Sequence, residues 1–392
     1  MTAPSHPARS ILTLSLAATI GIGIARFGYA LVLPDMRDNL GWSYSAAGLM
    51  GTMNAAGYLT GALIASRLLR RFGWTAAVHG GTLACLVSLA LCTLSGNFIL
   101  LSLARAVGGF GAATAFIAGG GLAATIAQSQ PRRASFLLSL FYAGPGLGIF
   151  ASGVIAPLVL QAYGPGSWRI AWLTMTALAV LMALPVLLSR FDLNTGLRSA
   201  RAGGFAIEPI ASYLAGYFLF GAGYIAYMTF MIAYVRDIGG GPRSQACFWS
   251  LIGISACTAP WVWRGVLALD RGGLTTAIII SVSAIGAMMP MFGHSPAWLA
   301  ASAVVFGVAF FAVVGSTTAF VRLNYPPAAW PTAIAAMTAC FGTGQTLGPI
   351  VVGAATDALG NLGYALNVSS GILIAATLST LVQGKPERRR QS

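Results

Sequence analysis

The chain is a succession of long runs without charge. From Ile11 to Leu33 the one fully charged side chain is Arg26, and comparable runs recur to the C-terminus, parted by short connections that carry the other arginines. About 20 consecutive apolar residues cross the hydrocarbon core of a bilayer as a helix. Composition points the same way: 57% of residues are hydrophobic, 8% are charged and the mean hydropathy is +0.79. A soluble domain carries about 25% charged residues, so this chain lacks the charge to cover an ordinary water-facing surface. It is read as an all-α integral membrane protein.

Twelve apolar spans are expected, near 10–33, 44–66, 74–94, 98–127, 134–160 and 168–188, then 207–235, 244–264, 274–292, 297–321, 330–356 and 361–383. They fall into two pseudo-symmetric sets of six: an N-terminal half over 1–189, an arginine-bearing linker over 190–206, and a C-terminal half over 207–392 that ends in a short basic tail. With the N-terminus inside, sixteen of the 22 basic residues lie on the side of the termini and four (Arg37, Arg169, Arg236, Arg243) on the other. The remaining two, Arg26 and Arg105, lie within spans. Basic residues stay on the cytoplasmic side of a membrane, so a multi-pass protein with both termini cytoplasmic is expected. The first span is read as a retained helix, because the run passes Arg26 without a small-x-small cleavage site and a polar mature start.

The net charge of +14 raises nucleic acid as a partner, but the basic residues act as topology signals and form no aromatic-interleaved patch. The five cysteines lie in apolar spans without a CxxC pair, and no His/Cys cluster has metal spacing. No metal and no cofactor is expected. The three histidines, His6, His79 and His294, supply neither a nucleophile–base pair nor a metal cluster, so the chain is not read as an enzyme. A GxxxxGK[ST] loop is absent too, which argues against ATP-driven transport by this chain alone.

The halves repeat weakly. The fifth span contains YAGPGLGIFASG (142–153) and the eleventh GQTLGPIVVGAA (344–355), each with a Gly-Pro pair: Gly144-Pro145 and Gly348-Pro349. Gly21 and Gly23 in the first span match Gly221 and Gly223 in the seventh. Two related six-helix halves with a site between them is a transporter architecture, and the 49 glycines let membrane helices approach closely.

On these residues the chain resembles the major facilitator superfamily over essentially its whole length. Arg105-x-x-x-Gly109-x-Gly111 resembles that family's arginine motif on the fourth helix, and Gly144-Pro145-x-x-Gly148 resembles its glycine-proline motif on the fifth. The stretch GALIASRLLRRFG (61–73), with Arg70 and Arg71, is similar to the cytoplasmic signature after the second helix. The Asp of that signature is missing, with Ala65 or Ser66 in its place, so the gating salt bridge tied to it is not carried over. The phrases GIARFGYALVLP, NAAGYLTGAL and FGTGQTLGP resemble the bacterial YbfB-like branch. The resemblance implies a carrier working by alternating access, with gating or structural roles for Arg105, Gly109, Gly144, Pro145, Gly348, Pro349, Arg70 and Arg71.

The chemistry centres on Arg26. A charge at mid-membrane costs roughly 2.5–3.5 kcal/mol on insertion scales and marks a functional site by default. None of the eight acidic residues falls mid-span, which weakens a purely structural ion pair. A guanidinium presents a fork of donors suited to a carboxylate, so a small organic anion is the expected substrate. The competing reading satisfies Arg26 with carbonyls or phenols. Tyr29 shares its face. Asn54 and Tyr58, Tyr142, Tyr224 and Tyr227, and Gln345 are further candidates for binding an apolar or aromatic body, helix packing being the alternative for each. His79, near the inner end of the third span, is a candidate proton relay. Partners are therefore a small molecule and the lipid bilayer, with the protein acting as a monomer. The alternative function is an efflux carrier for hydrophobic drugs or metabolites, in which Arg26 tunes the cavity; a sensor in a transporter fold is a third.

Overall fold

The structure is a computed structural model that describes residues 6–191, 208–269, 271–326 and 329–384. Most of the predicted linker 190–206 and the basic tail beyond residue 384 lie outside the described residues. Twelve helical rods follow one another: α1 Pro7–Leu40, α2 Tyr44–Phe72, α3 Trp74–Leu94, α4 Phe98–Gln128, α5 Pro131–Tyr163 and α6 Trp168–Leu188. After the linker come α7 Ala211–Asp237, α8 Pro242–Val262, α9 Leu274–Met291, α10 Pro296–Asn324, α11 Trp330–Leu359 and α12 Leu362–Leu381. The ends of the bundle that carry the chain termini are called proximal here, and the opposite ends distal.

Among the described residues, nine of these rods are long and apolar enough to cross a membrane. The three that fall short are α2, α8 and α11, and each packs across the junction between halves: α2 lies along α11, and α8 along α5. A two-fold relation that exchanges the halves maps one seam onto the other and α1 against α7 onto itself.

Small residues stand where backbones meet, both across the junction, where a Cβ on Gly48 would strike the Pro349 carbonyl and one on Gly146 the Gly253 carbonyl, and within each half. A Cβ on Gly144 would strike the Ser15 carbonyl of α1, and one on Gly348 would strike the Ala222 carbonyl of α7. These are symmetry-related contacts, each next to a proline. Pro145 restarts α5 after a break at Tyr142–Gly144, while Pro349 packs its ring against Gly51 of α2. A Cβ on Gly109 would land on the Asn54 carbonyl, so α4 and α2 touch backbone to backbone there.

The first helix runs farther than hydropathy predicts, to Leu40 rather than Leu33. Its charged end is stabilised by partners beyond the apolar run. Asp35 accepts the backbone N–H groups of Gly166 and Trp168 at 2.8 and 2.9 Å, and Gly41, at φ +66°, ends the helix. Asp38 then joins the halves, pairing with Arg37 at 2.9 Å and with Arg236 of α7 at 2.6 Å. Asp357 of α11 caps the start of α2, accepting from Tyr44 N (2.8 Å), Ser45 N (2.9 Å) and the Ser45 hydroxyl. Tyr44 also donates to Asp237 at 3.1 Å. A carboxylate at a helix N-terminus meets both unpaired N–H groups and the positive end of the dipole. Among the described residues the one ion pair between the halves, Asp38 with Arg236, lies at this distal end.

Replacing Asp357 by Ala removes three such bonds. It is expected to weaken distal closure by roughly 1–3 kcal/mol and to lengthen the distance between spin labels placed on Tyr163 and Phe292, the exposed distal ends of α5 and α9. An unchanged distance distribution would show that Asp357 does not hold the halves together.

Candidate transport site

The first helix is not regular. Residues Thr19–Arg26 form a π-helical segment, with Phe27 N–H bonding back to Ile22 O at 3.3 Å. The α-helix resumes at Tyr29, where Ala30 and Leu31 bond to Phe27 and Gly28 at 3.2 Å each. The carbonyls of Ala25 and Arg26 lie where the π-helical segment gives way to the α-helix. In an apolar interior a backbone carbonyl left without a partner costs several kcal/mol. Arg105 takes both, donating Nη1 to Ala25 O and Nη2 to Arg26 O (3.1 Å), while its guanidinium lies 4.9 Å from the Tyr29 ring centre. Arg105 is therefore held between α4 and the break in α1, 3% exposed and without an acidic partner among the described residues.

The Arg26 side chain lies at the junction, bordering a small cavity with Ile225, Met228 and Thr229 of α7. It is 6% exposed, 4.6 Å over the ring of Tyr58 and 5.7 Å from that of Phe27, in a cation–π arrangement with both. Its Nε and Nη2 have no hydrogen-bond partner among the described residues. Across from it stand Tyr224 of α7 and Gln345 of α11, where the Gln345 amide donates to the Tyr224 hydroxyl and Gln345 Oε1 has no partner. Behind these two, aromatic rings are layered. Tyr224 stacks on Phe220 (5.0 Å) and on Phe341 (5.7 Å), and Phe341 stacks on Tyr217 (4.6 Å). Phe27 reaches from α1 to meet Phe310 edge-on at 6.1 Å. The result is one cation with free donors, one amide and a wall of flat apolar surface.

The polar atoms of the other candidates are bonded to groups other than Arg26, or stand apart from it. Tyr29 donates to Ala47 O at 2.8 Å and Asn54 donates to Arg105 O at 3.0 Å, so both brace α1 and α4 against α2. They border a cavity of about 20 Å³ shared with Arg26, Arg105 and Thr229, room for about one water. Tyr227 is fully buried inside the second half, against Phe306 and the Ser302 hydroxyl (3.3 Å). Tyr142 is half exposed at the break in α5, beside Phe116 and Phe141. His79 Nε2 lies 3.0 Å from both Val186 O and Ser189 O, which makes it a donor that ties α3 to the end of α6. Arg70 and Arg71 are exposed at the proximal end of α2. No group of residues among those described could hold a metal ion.

Sequence reasoning did not single out Phe27, Tyr217, Phe220 and Phe310. The spacing of Tyr217, Phe220 and Tyr224 puts all three on one helix face, and that stripe was the available signal. Within an apolar run it reads equally well as packing.

Comparison with known proteins settles the class. A family model described as "Uncharacterised MFS-type transporter YbfB" matches residues 18–381. The chain belongs to that family. A curated relative of this YbfB-type chain, the putative transporter AraJ of Escherichia coli (strain K12), is 35% identical over 100 residues. That match covers 26% of this chain and about a quarter of the relative's length, 25%. Among solved structures, a mutant of the nucleoside transporter NupG superposes with a TM-score of 0.73 at 14% identity, covering 95% of this chain and 99% of that one. A bacterial homologue of the human lysosomal transporter Spinster, inward-facing and unoccupied, superposes with a TM-score of 0.67 at 14% identity, covering 97% and 96%. The YbfB-type chain thus has the major facilitator fold and is a multi-pass transporter rather than an enzyme.

Because Arg105 alone meets two backbone carbonyls, Arg105→Gln is expected to lower stability by about 3 kcal/mol, read as a fall in melting temperature in detergent. Asn54→Ala, which leaves those carbonyls bonded, is expected to cost less. Equal melting temperatures for native and Arg105→Gln protein would show that the broken helix needs no such support.

Proposed function

We propose that this transporter carries a small organic anion with a flat apolar body, most simply a carboxylate, and binds its charged group on Arg26. One observation carries the reading: a guanidinium more than nine-tenths buried, with two unpartnered nitrogens and no acidic side chain opposite it among the described residues. Burying an unpaired charge is costly, and a fork of free donors matches a carboxylate. Gln345 Oε1 would accept a donor on the substrate. Tyr58, Tyr224 and Phe341 would hold its body. The path lies between the halves of one chain, so a monomer suffices. From the distribution of basic residues, the proximal end faces the cytoplasm of a bacterium and the distal end lies outside the inner membrane.

A second reading is favoured by the aromatic wall itself: an efflux carrier for uncharged hydrophobic compounds. NupG is named a nucleoside transporter, so flat neutral molecules belong in the test as well. A thermal-shift screen of the purified protein against aromatic and aliphatic carboxylates, nucleosides and neutral aromatics separates the two, since a ligand raises the melting temperature by mass action. Stabilisation by carboxylates is expected, weakened about 10- to 100-fold in apparent affinity by Arg26→Gln, the worth of one charged hydrogen-bonded contact. Phe341→Ala is expected to weaken aromatic carboxylates more than aliphatic ones. Stabilisation by neutral compounds alone, unchanged in Arg26→Gln, would establish the second reading instead.

A further inference from the structure

We infer that the carrier is an obligatory exchanger: its halves change places readily only while an anion sits on Arg26, so one anion leaves for each that enters. The inference rests on the anion reading above and concerns how transport is coupled. To pass from one open side to the other, the site must close around whatever it holds and lose its water. With an anion bound, the closed site is neutral at Arg26. Without one, a bare guanidinium must be enclosed in low dielectric, and a charge dehydrated without a partner is strongly disfavoured.

Relief would have to come from a neighbouring group that is negative, or that releases a proton when the anion departs. Among the described residues the elements packed around Arg26 offer no carboxylate and no histidine, only the phenols of Tyr29, Tyr58 and Tyr224. From α2 the facing group is the Tyr58 ring. From α4 it is Arg105, itself cationic and committed to two carbonyls. From α7 and α11 come the Tyr224 phenol and the Gln345 amide, and from α10 the phenylalanine rings. The described carboxylates, Asp35, Asp38, Asp237 and Asp357, all stand at the distal end, already bonded to N–H groups, arginines or a hydroxyl. Of the remaining four acidic residues, Asp192, Asp270 and Glu387 fall outside the apolar spans in the sequence, and Glu208 stands at the very start of the seventh, on the side of the termini. His79 donates its Nε2 proton to two carbonyls at the end of α6. No described carboxylate or histidine therefore faces the anion on Arg26, which leaves the anion's own return to complete the cycle.

The test uses the full chain in proteoliposomes clamped at zero membrane potential. Radiolabelled hippurate, phthalate and pyruvate are the external probes, and the vesicles hold either the same compound unlabelled, chloride, or only zwitterionic buffer. Uptake of a probe is expected to be at least tenfold faster into anion-loaded vesicles than into buffer-only vesicles, with trapped pyranine reporting no proton movement. Arg26→Lys, which keeps the charge, is expected to keep the dependence on internal anion even if its affinity falls. Uptake into buffer-only vesicles within twofold of the loaded ones, or one proton moved with each anion, would overturn exchange while leaving the anion reading intact. Absence of uptake for every probe under every loading would overturn the anion reading and exchange with it.

Discussion

The contact on which the site depends is that of Arg105 with the carbonyls of Ala25 and Arg26. A helix in lipid must satisfy its own backbone, and α1 is irregular where the π-helical segment Thr19–Arg26 gives way to the α-helix at Tyr29. One guanidinium meets both carbonyls. Beside it Arg26 lies over the rings of Tyr58 and Phe27 of its own half and borders a small cavity with Ile225, Met228 and Thr229 of the other. The two arginines divide the work: Arg105 spends its Nη donors on backbone, and Arg26 keeps Nε and Nη2 free.

Around this pair the halves are arranged for relative movement. Their seams, α2 on α11 and α5 on α8, are built from glycines and prolines in backbone contact, which pack closely without interlocking long side chains. The charged ties at Asp38 and Asp357 sit only at the distal rim, where water is near and the cost of parting them is modest. A site between two halves joined by smooth seams and a separable rim is what alternating access requires.

Much of this was legible in the residues, for stated reasons. Span count and order follow from hydropathy, because lipid demands long uncharged helices. The boundary of α1 at Leu40 was not legible: it rests on Asp35 meeting the backbone at Gly166 and Trp168, residues more than 130 positions away. Arg26 stood out because charge in an apolar run is rare. Tyr58, Tyr224 and Gln345 were plausible from their types and are brought to it by the packing. Tyr29, Asn54 and Tyr227 were equally plausible, and the packing turns their polar atoms to Ala47 O, Arg105 O and Ser302.

The sequence by itself therefore determined the membrane class, the twelve helices, their grouping in two halves and the presence of an unmatched buried cation. All of these depend on one-dimensional patterns of apolar length and charge. Which aromatic and amide groups face that cation, and which arginine is committed to backbone, only the tertiary structure decided. Both depend on where the π-helical segment gives way to the α-helix and on which helix of the distant half lies opposite, and neither leaves a mark in local composition.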